Sequence, residues 1–292
     1  MSSPSHLVEV RCNICNSKER EIISQADTGN IVRCRRCGLF YRSRRLSDDD
    51  EISKYKNRLH DDSFCSIENA AKKEIFVSVL NRLEHHKGRI LDIGCSNGFF
   101  LNLAKKRGWE PYGIEISDYF LRKTRESLGE KHIFGVPLKM AEFHSNFFDV
   151  ITMWDVLDHL IDPLSELMEI NRILKTKGLL IIRVRNMSFH TLINKLFKKD
   201  FLGIVKKPTV FHLYGFSNHN LRILLDKSHF TKVKMENSKL TVGDPYSQIV
   251  FLENFTINFI KRVYWASSEF VKFISFRNLL ISPSIMVYAE KT

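Results

Sequence analysis

Two groups of residues in this chain are spaced for chemistry. The first is Asp92-Ile93-Gly94-Cys95-Ser96-Asn97-Gly98, where an apolar run opening at Arg89 passes into a turn of small residues and then into Phe99, Phe100 and Leu101. Glycine at 94 and 98 lets the backbone turn tightly and approach a ligand where a Cβ would clash. A helix beginning there offers unpaired N–H groups at its first turn. Glu115 follows the short apolar segment Tyr112-Gly113-Ile114, 23 residues after Asp92. That is about where an α/β nucleotide fold places the carboxylate that receives ribose hydroxyls. Phe99 follows Gly98 directly, so the third glycine of a pyrophosphate-binding fingerprint is missing. The loop suits an uncharged nucleoside end, as in an adenosyl cofactor.

The second group is Cys12-Asn13-Ile14-Cys15 and Cys34-Arg35-Arg36-Cys37, two C-x-x-C pairs separated by eighteen residues. Each pair can point two thiolates at one ion, and the two together complete a tetrahedral four-sulfur shell of the closed, structural zinc type. Two disulfides are the alternative. Zinc is favoured over them because Met1 to Val10 lacks the basic, apolar and small-residue pattern of a signal peptide. Cys65 and Cys95 stand outside this pattern, and neither is placed as a nucleophile.

The segment around Asp92 resembles motif I of class I S-adenosylmethionine-dependent methyltransferases, usually Asp-x-Gly-x-Gly-x-Gly or Asp-x-Gly-Cys-Gly-x-Gly. Ser96 replaces the middle glycine. Phe148-Asp149-Val150-Ile151, Val156-Leu157-Asp158-His159 and Asp162-Pro163 are similar to the family's fourth-strand segment, with Asp158 where Glu is usual. Arg172 to Ile182 is similar to the helix, Pro-Gly-Gly turn and fifth strand, with Thr176 and Lys177 in place of Pro and Gly. Phe211-His212-Leu213-Tyr214-Gly215-Phe216-Ser217 is similar to the family's His-Leu-x-x-Phe-Ser stretch.

The resemblance implies that S-adenosylmethionine is the cofactor and assigns the roles. Asp92 would orient the turn and the methionyl ammonium, and Gly94, Cys95, Ser96 and Gly98 would line the cofactor. Glu115, with Ile116 beside it, would hold the ribose diol, and Asp155 would face the methionine end. His159 is the best-placed residue to take a proton from a hydroxyl acceptor, with His212 and Tyr214 approaching the pocket from the far side. The structural alternative for His159 is a bond to backbone carbonyls. Many bacterial methyltransferases resembling this one begin with the same ribbon and carry Gly-Leu-x-Tyr after its last cysteine, as Gly38-Leu39-Phe40-Tyr41 does here. That similarity implies a small-molecule or glycan-type acceptor, with the ribbon shaping one side of the pocket.

The elements that must position these residues alternate after a helix near Ile67 to Leu83. Strands are expected at Ile90–Ile93, Tyr112–Glu115, His132–Phe134, Val150–Met153, Leu179–Val184, Thr231–Glu236 and Ile285–Glu290. Alternation with helices implies an α/β fold with a parallel sheet covered on both faces. The resemblance refines this to a Rossmann-like seven-stranded methyltransferase sheet, its last strand antiparallel, preceded by a small N-terminal zinc ribbon. The domain reading is residues 1–47 for the ribbon, 48–88 for a linker and cap helix, and 89–292 for the catalytic domain, with a helical insertion at 244–281.

The net charge of +12 is unevenly placed. Residues 1–174 hold 26 basic and 26 acidic side chains, and residues 175–292 hold 19 and 7, so all the excess lies in the second part. Such a surface attracts a phosphate-bearing acceptor, nucleic acid or anionic lipid, or is simply solvated. Leu252, Phe255, Phe259, Val263, Ala266, Phe270 and Phe273 recur in steps of three and four, marking an amphipathic helix. Packing on the domain or on a second subunit is the plainer use of that stripe. With Lys261, Arg262, Lys272 and Trp265 nearby, residues 247–276 also fit peripheral membrane contact. No uncharged apolar run reaches spanning length, so a cytoplasmic protein is expected, with the inner membrane face as the peripheral site. The sequence leaves the oligomeric state open.

Two rivals remain. A nucleic-acid methyltransferase would use the ribbon and the basic charge, but the Asn/Asp-Pro-Pro-aromatic motif for amino acceptors and a Pro-Cys nucleophile are both missing, so nucleic acid is disfavoured. A non-catalytic adaptor would retain a degenerate fold, with Ser96, Asp158 and Thr176-Lys177 as its traces.

Overall fold

A computed structural model describes residues 7–25, 29–57, 62–85, 87–196, 212–240, 255–275 and 279–292. Five short strands come first: β1 (Leu7–Glu9), β2 (Arg20–Ser24), β3 (Ile31–Cys34), β4 (Phe40–Arg42) and β5 (Arg44–Leu46). Helix α1 (Asp48–Lys56) follows at once, its N-terminus capped by Ser47, whose hydroxyl accepts from the Asp50 amide, and its first turn wholly acidic. Helix α2 (Asp62–Arg82) then leads into the main sheet.

That sheet is built from β6 (Arg89–Ile93), β7 (Glu110–Ile114), β8 (Ile133–Phe134), β9 (Phe148–Trp154) and β10 (Leu174–Arg185), interleaved with α3 (Phe99–Lys105), α4 (Asp118–Leu128) and α5 (Pro163–Ile173). Helix α6 (Met187–Leu196), β11 (Tyr214–Gly215), α7 (Asn218–Lys227), β12 (Phe230–Asn237), α8 (Phe255–Ile274) and β13 (Ser284–Lys291) complete the chain. The spatial order is β12-β13-β10-β9-β6-β7-β8, with β13 antiparallel to both neighbours and the remaining strands sharing one direction. This is the expected seven-stranded sheet, and six of the seven expected strands start within two residues of an observed one, while β10 begins five residues earlier than expected, at Leu174. Central strand β9 and the Leu179–Val184 part of β10 are mostly apolar and buried because helices cover both their faces.

The ribbon's sheet has a member that its own sequence does not supply. Its order is β11-β4-β3-β2, so Tyr214 and Gly215 pair antiparallel with Tyr41 and Phe40. The fourth strand comes from a stretch about 170 residues further along the chain.

Part of the expected apolar stripe of the late helix points outward. Leu252 lies outside the described residues, and the side chains of Phe255 and Phe259 are not described. Beyond them, Val263, Phe270 and Phe273 are exposed, the last two at 63% and 78%. What α8 turns toward the domain is polar: Ser268 is buried, Asn237 Nδ2 donates to its carbonyl at 3.1 Å, and the Tyr264 hydroxyl donates to the Ile281 carbonyl. Packing of the stripe on the domain therefore does not hold at these three positions, where hydrogen bonds to Asn237 and Ile281 seat the helix, while that exposure leaves packing on a second subunit open.

Candidate active site

The loops after β6 and β9 meet where the sheet order turns in opposite directions, the switch point at which open α/β sheets bind ligands. Gly94 (φ +70°) and Gly98 (φ +75°) are in the left-handed region. A Cβ on Gly94 would lie 2.5 Å from Val156 Cγ2 in the loop after β9, and one on Gly98 would lie 2.8 Å from Thr124 Cγ2 of α4. The turn therefore stays open only with glycine at these two places. Ser96, in place of the pattern's middle glycine, also sits at φ +51°.

The amides of this turn are largely spent within the protein. Gly94 and Cys95 donate to the Ile114 carbonyl at 2.8 and 3.0 Å, Ser96 to Glu115 Oε2 at 2.8 Å, and Phe99 to Asn97 Oδ1 at 3.3 Å. The first amide of α3 is thus already partnered, contrary to the expectation of an open helix start. Cys95 is buried, and its sulfur packs over Gly113, so its side chain faces the core. The loop shapes the site by its form and leaves recognition to carboxylates.

Three acids supply them. Asp92, 1% exposed, accepts from Thr152 Oγ1 at 2.7 Å. Burial pushes its pKa up to about 8, against the Thr152 bond and the Lys72 charge. Glu115 accepts from the Ser96 and Ser117 amides on separate oxygens, both at 2.8 Å, and burial raises its pKa despite those donors. Ile116, half-buried, follows it at the end of β7. Asp155, at φ +60°, meets Lys72 Nζ at 3.0 Å and Arg183 through Oδ2. Burial works to raise its pKa, but Arg183 and Lys72 outweigh that and hold the carboxylate well below the usual range. Its Oδ1 is buried without a partner, as is Ser117 Oγ beside Glu115. A methionyl ammonium and a ribose hydroxyl are the kinds of donor these acceptors lack, so the residues fit S-adenosylmethionine.

Helix α2 closes this side. Phe76 packs edge-on against Trp154 and Phe100, with ring centroids at 4.8 and 5.3 Å, and carries Lys72 one turn earlier to Asp155. Lys72 and Tyr55 carried no sequence signal. Arg183 did, as a lone charge inside the apolar run Leu179 to Val184.

Just past Asp155 lies a second cluster. The Tyr55 hydroxyl is 2.7 Å from His159 Nδ1, and the His159 and His212 rings lie with centroids 3.7 Å apart. Asp158 beside them is 2% exposed, and its Oδ1 has no hydrogen-bond partner. Burial raises its pKa to about 7, against the charges of Arg185 and Lys72. His212 is held from the ribbon: Arg42 Nε donates to its carbonyl at 3.0 Å, and the Arg42 amide donates to the Leu213 carbonyl, also at 3.0 Å. Tyr214 is directed elsewhere, its hydroxyl donating to the Ile161 carbonyl at 2.9 Å.

The four ribbon cysteines converge with no disulfide among them. Sulfur separations are 3.3 Å for Cys12 and Cys37, 3.5 Å for Cys15 and Cys34, and 3.8 Å for Cys15 and Cys37. Tetrahedral zinc at a Zn–S distance near 2.3 Å requires about 3.8 Å between sulfurs, so the cluster is compatible with a closed zinc site. Both turns repeat one geometry, with a left-handed residue after the second cysteine: Asn16 at φ +54° and Gly38 at φ +73°. Asn13 ties the first turn to the catalytic domain by donating to Asp162 Oδ1 at 2.8 Å and accepting the Leu164 amide at 3.1 Å, at the start of α5.

This sheet, with its glycine turn and ring of carboxylates, defines a class I S-adenosylmethionine-dependent methyltransferase. Comparison with known proteins agrees: the family model described as "Methyltransferase domain" matches residues 68–235, and the chain belongs to that family. It is similar to a ubiquinone biosynthesis O-methyltransferase of Azoarcus sp. (strain BH72), 25% identical over 232 residues, covering 76% of this chain and 93% of that protein. An uncharacterized protein of Methanocaldococcus jannaschii is 35% identical over 144 residues, covering 48% of this chain and 60% of that one. Among solved structures, a SAM-dependent methyltransferase from Archaeoglobus fulgidus shares the fold, with a TM-score of 0.52 and 20% identity, covering 79% of this chain and all of that one.

Proposed function

We propose that the protein transfers the methyl group of S-adenosylmethionine to a hydroxyl of a small-molecule or glycan-type acceptor. The observation that carries this reading is the His159–His212 pair, its rings tilted at 35° with centroids 3.7 Å apart just beyond the carboxylate ring and bonded by Tyr55. The O-methyltransferase similarity points the same way. Bound there, the cofactor supplies an electrophilic sulfonium methyl. Asp92, Asp155 and Glu115 hold its ammonium and ribose ends, with Gly94 to Gly98 against the adenosyl group, and α2 excludes water. His159 receives the hydroxyl proton as the acceptor oxygen attacks in line. His212 forms the facing wall, and the cysteine cluster holds zinc as a structural ion.

The assignment of residues 1–47 to a ribbon, 48–88 to a cap and 89–292 to catalysis belongs to the same proposal. So does a peripheral contact of α8 with anionic lipid. Its exposed Phe270 and Phe273 and the basic excess of residues 175–292 support that contact. No helix among the described residues is long and apolar enough to cross a membrane.

The deciding experiment transfers labelled methyl from S-adenosylmethionine to a panel of phenols, sugars and an RNA pool, with His159→Gln alongside wild type. Label on a hydroxyl, lost in the variant under chemistry-limited turnover, supports the reading. Label on RNA alone, or hydroxyl methylation at an unchanged rate in the variant, overturns it.

A further inference from the structure

We infer that Asp158, His159 and His212 form a second metal site, for a first-row divalent cation such as Mn2+, Co2+ or Zn2+, separate from the four cysteines. One ligand atom from each of the three lies within 4.8 Å of the others. Two imidazoles and one carboxylate suit borderline first-row ions better than Mg2+ or Ca2+, which prefer all-oxygen shells, and three protein ligands leave open positions for oxygen.

The independent observation is Asp158 itself. A carboxylate 2% exposed, with Oδ1 in no hydrogen bond, is costly to bury unless something positive meets it. The neighbouring charges are Arg185 and Lys72, which draw on it from a distance, and Asp155, which repels its ionised form. None closes a bond on Oδ1. An ion held at the ring nitrogens of His159 and His212 would.

The surroundings are arranged as those of a metal site are. Tyr55 engages His159 Nδ1, which fixes the ring and makes Nε2 the ligating nitrogen, the usual outer-shell device for histidine ligands. His212 is fixed through its backbone, by Arg42 at its carbonyl and by the Leu213 amide donating to the Asp158 carbonyl at 3.1 Å. The ligands therefore hold one another: the residue after His212 is bonded to the residue carrying the carboxylate.

This inference rests on the reading that the cluster faces the acceptor, and it changes how the proton leaves. The acceptor hydroxyl binds at an open position of the cation and gives its proton to water. The resulting oxygen anion forms the O–C bond as the C–S bond of the sulfonium breaks, releasing neutral S-adenosylhomocysteine. His159 is then a ligand rather than the base.

The test uses full-length protein with one zinc per chain already in the cysteine site, titrated with Co2+ and followed by visible absorption and metal analysis. The expected result is one further equivalent with weak d–d bands and no thiolate charge transfer. Binding should weaken at least about tenfold in Asp158→Asn and in His212→Gln, both checked for an unchanged thermal midpoint. No second equivalent, or binding in both variants equal to that of wild type, overturns the site. If no second ion binds and His159→Gln still abolishes methyl transfer, the metal site fails and the general-base reading stands. If the ion binds and no hydroxyl acceptor is methylated, the site stands and the acceptor reading fails.

Discussion

Arg42 of the ribbon donates its guanidinium Nε–H to the carbonyl of His212, 3.0 Å away and 170 residues later in the chain. The ribbon thereby fixes the backbone of the residue whose ring lies against His159. Arg42→Ala removes that donor while leaving the cofactor turn untouched. The expected outcome is an acceptor KM raised about tenfold, in keeping with the roughly 1.5–3 kcal/mol of a charge-assisted bond. The Kd for S-adenosylmethionine, measured by calorimetry, should not change.

Ser96 and Lys177 stand where the family pattern has glycine, and both keep left-handed backbone, at φ +51° and +62°. Ser96→Gly should relieve about 1 kcal/mol of that strain and raise the thermal midpoint by about 2 °C. Cofactor affinity should hold or improve. A lower midpoint by differential scanning fluorimetry would mean that the serine is needed for more than its size.

The opposite change at Gly98 meets both a left-handed φ of +75° and Thr124 Cγ2 at 2.8 Å from the new Cβ. Gly98→Ala should cost about 1–2 kcal/mol from backbone conformation alone, and more from the clash with α4. Urea denaturation reads the stability. A parallel titration with S-adenosylhomocysteine should show binding weakened at least about tenfold.

Asp92 has a pKa raised from 3.8 to about 8 by burial, against Thr152 and Lys72, with Glu115 nearby raising it further. The folded protein therefore keeps a proton that the unfolded chain releases between those values. Stability from this group is present below pH 4 and is lost as the pH climbs toward 8, at about 1.4 kcal/mol per unit for one proton. Asp92→Asn should flatten the fall in thermal midpoint between pH 5 and pH 8 in the ligand-free protein. It should also weaken S-adenosylmethionine binding. An unchanged pH slope would place the proton elsewhere.

Phe270 and Phe273 are 63% and 78% exposed on α8, so replacing both with serine removes apolar surface without opening a cavity. Unfolding free energy should stay within about 0.5 kcal/mol of wild type. Co-sedimentation with anionic vesicles should fall at least severalfold. Equal, negligible sedimentation of both proteins would remove the lipid reading of this helix.

The parallel sheet was legible in the sequence because its strands are apolar runs cut by turn residues, and Asp92, Glu115 and Asp155 fall at strand ends where the period stops. Lys72 and Tyr55 were not, since a lysine or tyrosine on a helix looks the same whether it faces solvent or, as here, a buried carboxylate or an imidazole far along the chain. The α8 stripe misled for the converse reason. Periodicity reports which face is apolar, while the hydrogen bonds of Asn237 and Tyr264 decide which face is turned inward. Pairing of Tyr214 with Tyr41 was equally hidden, because two-residue strands carry no period of their own.

That last pairing has a consequence for the order of events during synthesis. Tyr41 leaves the ribosome long before Tyr214, yet the ribbon's outer strand acquires its neighbour only when residues 214 and 215 arrive. The first unit made is among the last to be finished. Until then β4 presents an unpaired edge, and the four cysteines must come together on a sheet still one strand short.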